Sequence, residues 1–146
     1  MRILVQRVSS ARVSVAGKTV GAIDRGLVLL VGVHAEDDEG AARFCADKCA
    51  NLRVFPDEQG RMNRSLLETG GAVLAISQFT LYGDCRRGRR PSFVEAARPE
   101  LAEPLYERFV ELLEDLGITV ARGVFGAFMA VEIHNDGPVT VIVESP

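Results

Sequence analysis

The sequence predicts an α+β domain: a curled, mixed or mostly antiparallel sheet or barrel carrying two main helices. Three observations predict it. Val-rich runs open and close the chain, two helix-period segments lie between them, and the element order is mixed rather than a regular strand–helix alternation. With 146 residues, 47% apolar and 25% charged, the chain has the length of one domain, residues 1–146, and the composition of a folded soluble one.

The elements follow in order. Arg2–Ser9, Ala11–Ala16, Lys18–Asp24 and Leu27–Val33 read as strands, with Gly17-Lys18 and Asp24-Arg25-Gly26 as turns. Arg12-Val13-Ser14-Val15 alternates like a half-buried strand, whereas Leu27–Val33 reads as buried on both faces. Asp37 or Asp38 caps a helix whose Ala41, Phe44, Cys45, Lys48, Cys49 and Leu52 recur at helical spacing. Leu52–Phe55 is a short strand, and Pro56-Asp57-Glu58-Gln59-Gly60 is a loop. Ala72–Phe79 is a second buried strand, running into a polar loop from Thr80 to Ser92. The strongest helix is Pro99–Leu116, with Leu101, Leu105, Phe109, Leu112, Leu113 and Leu116 as its apolar stripe and Gly117 as its stop. Ile118–Arg122, Phe128–Asn135 and Val139–Glu144 complete the strands, the last two joined by a turn at Asp136-Gly137-Pro138.

The net charge is −3, from seventeen basic and twenty acidic residues, which argues against indiscriminate nucleic-acid binding. Fifteen of the seventeen basic residues are Arg, the side chain for bidentate contact with phosphate or carboxylate. No apolar stretch has the length of a signal peptide or a membrane span, and Cys45, Cys49 and Cys85 form no disulfide framework. A cytoplasmic protein with no membrane partner is expected. His34 and His134 lie in no metal spacing, GxSxG is absent, and so are GxxxxGK[ST] and GxGxxG. Neither a metal nor another cofactor is expected.

Three segments stand out. Ser77-Gln78-Phe79-Thr80-Leu81-Tyr82-Gly83-Asp84 ends a buried strand, where polar groups sit on the rim of a rigid scaffold. Its hydroxyls, amide and backbone N–H groups either orient a substrate or satisfy a turn. Asn135-Asp136-Gly137-Pro138-Val139-Thr140 is either an ordinary hairpin turn or, with its Gly-Pro bond, a candidate cis peptide. Arg86, Arg87, Arg89 and Arg90 form a local positive patch, read as a solvated loop or as a phosphate contact. Arg7, inside an apolar strand, is either an edge residue or a buried cation with a carboxylate partner.

Together these segments resemble the D-aminoacyl-tRNA deacylases. Ser77-Gln78-Phe79-Thr80-Leu81 and Asn135-Asp136-Gly137-Pro138-Val139-Thr140 are similar to the two signature motifs of that family. The similarity extends through Gln6-Arg7-Val8, Met62-Asn63, Arg90-Pro91-Ser92-Phe93, and Phe125-Gly126-Ala127 with Met129. The resemblance implies a homodimeric, barrel-like fold. It implies hydrolysis of the ester between a D-amino acid, or achiral glycine, and the 3′-terminal adenosine of tRNA. It further implies that Gly137-Pro138 is cis and enters the partner subunit's pocket, holding the substrate's amino group and excluding L side chains.

An aminoacyl ester is already activated, so oxyanion donors and a placed water suffice without a triad. Backbone N–H groups at Gln78 and Phe79 are assigned to the oxyanion, with Ser77 and Gln78 orienting the substrate. Thr80 is a nucleophile or a positioning hydroxyl; the second is preferred because no base lies beside it in sequence, and the resemblance suggests that the ribose 2′-hydroxyl assists. Arg86, Arg87, Arg89, Arg90 and Phe93 are expected to contact tRNA, and Met129 to line the pocket rim. Phe128 departs from the family, where a polar or acidic residue is more usual. Three alternatives compete: a related deacylase that clears L-alanyl-tRNA through a trans form of the dipeptide, a non-catalytic tRNA-binding module, and a general small-molecule esterase.

Overall fold

The Val-rich opening folds as one strand, β1 (Arg2–Val15), in a computed structural model that describes residues 1–146. The expected break near Ser9-Ser10 is a slip, not an end: the register against β8 (Ala130–Glu144) shifts between Gln6 and Val8 and again between Val8 and Ser10. Such bulges move side chains from one face to the other, which makes one strand read as two. A two-residue turn at Ala16-Gly17 leads to β2 (Lys18–Ile23), and β3 (Gly26–Gly32) follows. The turn thus lies one residue before the expected Gly17-Lys18, because Ala16 and Gly17 both adopt positive φ.

Asp38 caps α1 (Glu39–Asn51), its side chain accepting from the Ala41 N–H at 3.0 Å. The expected strand Leu52–Phe55 shrinks to β4 (Phe55–Pro56), which pairs with β5 (Met62–Arg64). A one-turn helix, α2 (Leu66–Thr69), precedes β6 (Ala72–Ser77). β6 therefore stops at Ser77, short of the expected Phe79, because the chain tightens into a 3-10 turn over Phe79–Tyr82. After α3 (Pro99–Asp115) come β7 (Val120–Arg122) and the long β8. No hairpin turn divides the closing strand: both halves of β8 pair antiparallel with β1, and Asp136–Val139 is looped out between the Gln6–Thr140 and Val8–Asn135 pairs.

The six-stranded sheet runs β2-β1-β3-β6-β7, with β8 on the other side of β1. β1 is antiparallel to all its neighbours, and β3–β6 and β6–β7 are parallel, so the sheet is the curled, mixed and mostly antiparallel one expected. The parallel pairs involve the continuous apolar runs, since those strands are covered on both faces. One face (Ile3, Val5, Leu27, Leu29, Val31, Val73, Ala75) packs under α1 and α3 around Phe55, Tyr106 and Phe109. The other (Val8, Val13, Ile23, Val28, Leu74, Ile76) is enclosed as the sheet curls, bringing β2 towards β7. Gly21 permits that approach: a Cβ there would lie 2.8 Å from the Arg122 carbonyl oxygen. On α3 the buried stripe adds Ala102, Tyr106 and Val110 to the expected Leu105, Phe109 and Leu113, while Leu116 is exposed. Each fully buried side chain of this size contributes about 1.5–3 kcal/mol, so the helices press the sheet into a stiff support for the ends of its strands.

Candidate active site

The scaffold places Ser77 at the C-terminal end of β6, opposite Val31 of β3. The ladder continues one residue further: the Gln78 N–H donates to the Val31 carbonyl at 2.7 Å. This N–H is taken up by the sheet and is not a free donor, which corrects its assignment to the oxyanion. The next two, Phe79 and Thr80, open the 3-10 turn and donate to no backbone acceptor, as the first N–H groups of a helical turn must. The Gln78 side-chain amide donates to the Thr80 hydroxyl oxygen. Thr80 Oγ1 therefore meets an N–H donor rather than a base, and an amide cannot take its proton. Ser77 continues the Val73–Ala75 row on the helix-covered face and is half-buried.

Beyond the turn, Asp84 and Ser92 exchange backbone hydrogen bonds at 2.8 and 2.9 Å, closing the basic loop. Arg86 folds back on Asp84 through two bonds of 2.8 Å, and this guanidinium pulls the Asp84 carboxyl down to about 2. Arg86 pairs with Asp84 across the loop while its side chain stays largely exposed, and Arg87, Arg89 and Arg90 are exposed and without ion pairs. Phe93 meets Phe79 edge to face, ring centroids 5.2 Å apart, and Phe79 is 54% exposed instead of filling the core. Turn and basic loop thus form one surface.

The second segment is built differently. Gly137-Pro138 is cis, and Gly137 has φ +122, a backbone conformation suited to glycine. Arg7 braces it. Its guanidinium lies 3.1 Å from the Asp136 carboxylate and donates to the carbonyls of Asp136 (3.3 Å) and Val54 (2.7 Å). Only 12% of the Arg7 side chain is exposed, so of its two readings the buried, paired cation is the one found. Asn135 donates from its amide to the Arg7 and Val139 carbonyls, and accepts from the Thr140 hydroxyl, which itself accepts from Gln6. A Cβ on Gly137 would lie 3.1 Å from the Arg7 guanidinium, so the bare backbone lets the arginine close on the loop.

Within one chain the two segments do not meet. Ser77 aligns through Val31 with Ile3, whereas Gly137 lies beside Arg7. That separates them by about 13 Å along the strands and by three strand spacings, about 14 Å, across them. Met129 rests its sulphur against Gly123 and lies beside Ile76, on the face of β6 opposite Ser77. Phe128 next to it is 99% exposed. The His34 ring packs edge-on against Tyr82 at 5.2 Å, and its Nδ1 accepts from the Glu36 N–H. His134 stands exposed on β8. Cys45 and Cys49 are core thiols, and burial pushes both up in pKa, Cys45 to about 11. Sequence reasoning missed Arg2, which touches the Ser77–Tyr82 turn, and nothing in its sequence setting signalled it. The polar break that Arg7 makes in an apolar strand was such a signal.

Free N–H donors on a rigid strand end are groups of the kind that stabilise a developing negative charge. The model of the D-Tyr-tRNA(Tyr) deacylase family matches residues 4–144. A D-aminoacyl-tRNA deacylase of Symbiobacterium thermophilum is 63% identical over 99% of this chain and 96% of its own length. One from Thermus aquaticus is 58% identical, with 99% and 95% covered. Among solved structures, a c-Myc DNA unwinding element binding protein superposes with TM-score 0.94 at 40% identity, covering 100% of this chain and 99% of its own. A probable eukaryotic D-amino acid tRNA deacylase, at 18% identity and TM-score 0.87 over 99% and 98%, shares the fold. The chain belongs to the D-aminoacyl-tRNA deacylase family and is a hydrolase.

Proposed function

We propose that this protein cleaves the ester between a D-amino acid, or glycine, and the 3′-terminal adenosine of tRNA. It does so as a homodimer in which Gly137-Pro138 of one subunit reaches the strand-end pocket of the other. The observation that carries the reading is the family match over residues 4–144, with both signature segments at accessible positions of the fold. The separation of the two segments within one chain supports an arrangement in trans. So does the free outer edge of β8, where Ile142 is 60% exposed. No helix is long and apolar enough to cross a membrane, in keeping with action on tRNA in the cytoplasm.

In this mechanism the unpaired Phe79 and Thr80 N–H groups hold the ester carbonyl oxygen and stabilise the negative charge that develops there. Fixed donors of this kind are usually the largest single contribution to lowering such a barrier. Ser77 and the Gln78 side chain orient the substrate, and Thr80, bonded to Gln78, positions rather than attacks. The ribose 2′-hydroxyl assists attack by water on the carbonyl carbon. The carbonyls of the partner's Gly-Pro loop receive the substrate ammonium and leave no space on the L side of the α-carbon. Arg87, Arg89 and Arg90 meet the acceptor-end phosphates, with Arg86 shaping their loop and Phe93 offering a face to a base. Met129, on the opposite face of β6 from Ser77, borders the pocket from the far side of that strand.

The test pairs D- and L-tyrosyl-tRNA with wild type and Pro138→Ala, with L-alanyl-tRNA as a third substrate. The wild type should cleave the D ester and spare both L esters, and the variant should lose discrimination. Equal cleavage of D and L esters by the wild type would remove the chiral gate. Preferential cleavage of L-alanyl-tRNA would assign the protein to the related trans-Pro activity.

A further inference from the structure

Arg2 stands at the start of β1, paired in the sheet with Gly32 on one side and Glu144 on the other. Three contacts converge on its guanidinium. Nη1 donates to the Leu81 carbonyl at 2.7 Å, the charged carbon lies 4.8 Å above the Tyr82 ring, and Nε bonds the Glu144 carboxylate. Leu81 and Tyr82 close the same 3-10 turn that begins at Phe79. Gly32 supplies the seat beneath it: a Cβ there would come within 3.1–3.3 Å of Leu81, Gln78 and Tyr82. Tyr82 is buried against His34, so the far end of the turn is packed. Arg2 thus ties that end to β1, while the opposite end carries the groups assigned to the ester.

We propose that Arg2 is a positioning residue for deacylation: it clamps the turn through Leu81 and Tyr82, and thereby holds Ser77 to Thr80 in working geometry. A guanidinium that served only the strand-end ion pair with Glu144 would have no need of the turn carbonyl. Here the fork divides, Nε to the carboxylate and Nη1 to the turn. Arg2 touches neither end of the ester; its influence passes through the backbone of residues 79–82. The proposal rests on the deacylase reading of that turn.

The experiment compares Arg2→Ala and Arg2→Lys with wild type in D-tyrosyl-tRNA hydrolysis and in amide hydrogen exchange. Displacing reacting groups by an ångström costs up to about a hundredfold, so kcat of Arg2→Ala should fall about ten- to a hundredfold, with KM changed by less than about twofold. Arg2→Lys, which keeps a cation over Tyr82, should recover part of the loss. The Leu81 and Gly83 amides, which bond within the turn, should exchange faster in Arg2→Ala, while the Gln78 amide, bonded to Val31, should not change. Unchanged kcat overturns the proposal. So does acceleration of all amides together, which would mean global loosening, and so does a rise in KM alone, which would place Arg2 in tRNA binding. If the wild type spares D-tyrosyl-tRNA, the deacylase reading fails by itself. The clamp is then judged on exchange: selective acceleration at Leu81 and Gly83 supports it, and no change overturns it.

Discussion

The Ser77–Tyr82 turn and the Asp136–Val139 loop each hang on one arginine, yet they are held by opposite means. The turn extends a strand buried on both faces; Gln78 still shares the sheet ladder, and Arg2 fastens an end already packed by Tyr82. The loop projects from a strand paired on one side only, and what fixes it is a set of hydrogen bonds from Arg7, Asn135, Gln6 and Thr140. On the proposed function, groups that must stay still for chemistry sit on a hydrophobic scaffold. Groups that must project from the surface cannot be packed, so polar bonds replace packing.

That contrast predicts where each segment breaks, and the largest effect belongs to Arg7. Arg7→Ala removes a mostly buried cation from the Asp136 carboxylate and leaves two carbonyls without a donor. Stability in urea should drop by about 2 kcal/mol, discounted because Asp136 keeps half its exposure, and discrimination between D- and L-tyrosyl-tRNA should narrow. A variant with full stability and full discrimination would show that the loop does not depend on its arginine.

Next comes the basic loop beside the turn. Replacing Arg87, Arg89 and Arg90 with Ser should raise KM on the order of tenfold, leave kcat unchanged, and flatten the dependence of KM on salt. A fall in kcat instead would place these arginines within the rigid turn's chemistry. The smallest change is expected at Thr80. Thr80→Ala should keep kcat within about tenfold of wild type, because its hydroxyl accepts from Gln78 and meets no base. Complete loss of hydrolysis with an intact fold would make Thr80 the nucleophile.

Much of this fold was legible in the chain. Strands β2 and β3, a cap for α1 at Asp37 or Asp38, and helix α3 follow from periodicity and capping residues, which are local signals. The two largest misreadings share one cause. β1 and β8 looked like two strands each because a bulge or a looped-out segment breaks alternation without breaking pairing, and pairing is decided by a partner over a hundred residues away. The parallel pairing of β3 with β6 and of β6 with β7 was hidden for the same reason. In the candidate site, Ser77–Thr80, Gly137-Pro138 and the Arg cluster are contiguous stretches and could be found by reading along the chain. Which N–H groups are free could not, since Gln78 loses its own to Val31 across the sheet.

By itself the sequence determined the element types, the buried runs, the two signature segments and, through their likeness to known deacylases, the class of chemistry. These reside in neighbouring residues, whose propensities and side-chain chemistry act locally. Only the tertiary structure decided that Arg7 is a buried brace, that Arg86 turns its charge onto Asp84, that Phe79 and Thr80 hold the unpaired donors, and that the two segments lie apart in one chain. Each of those depends on which distant strand or side chain satisfies a hydrogen-bonding group, and that partner is assigned when the sheet closes.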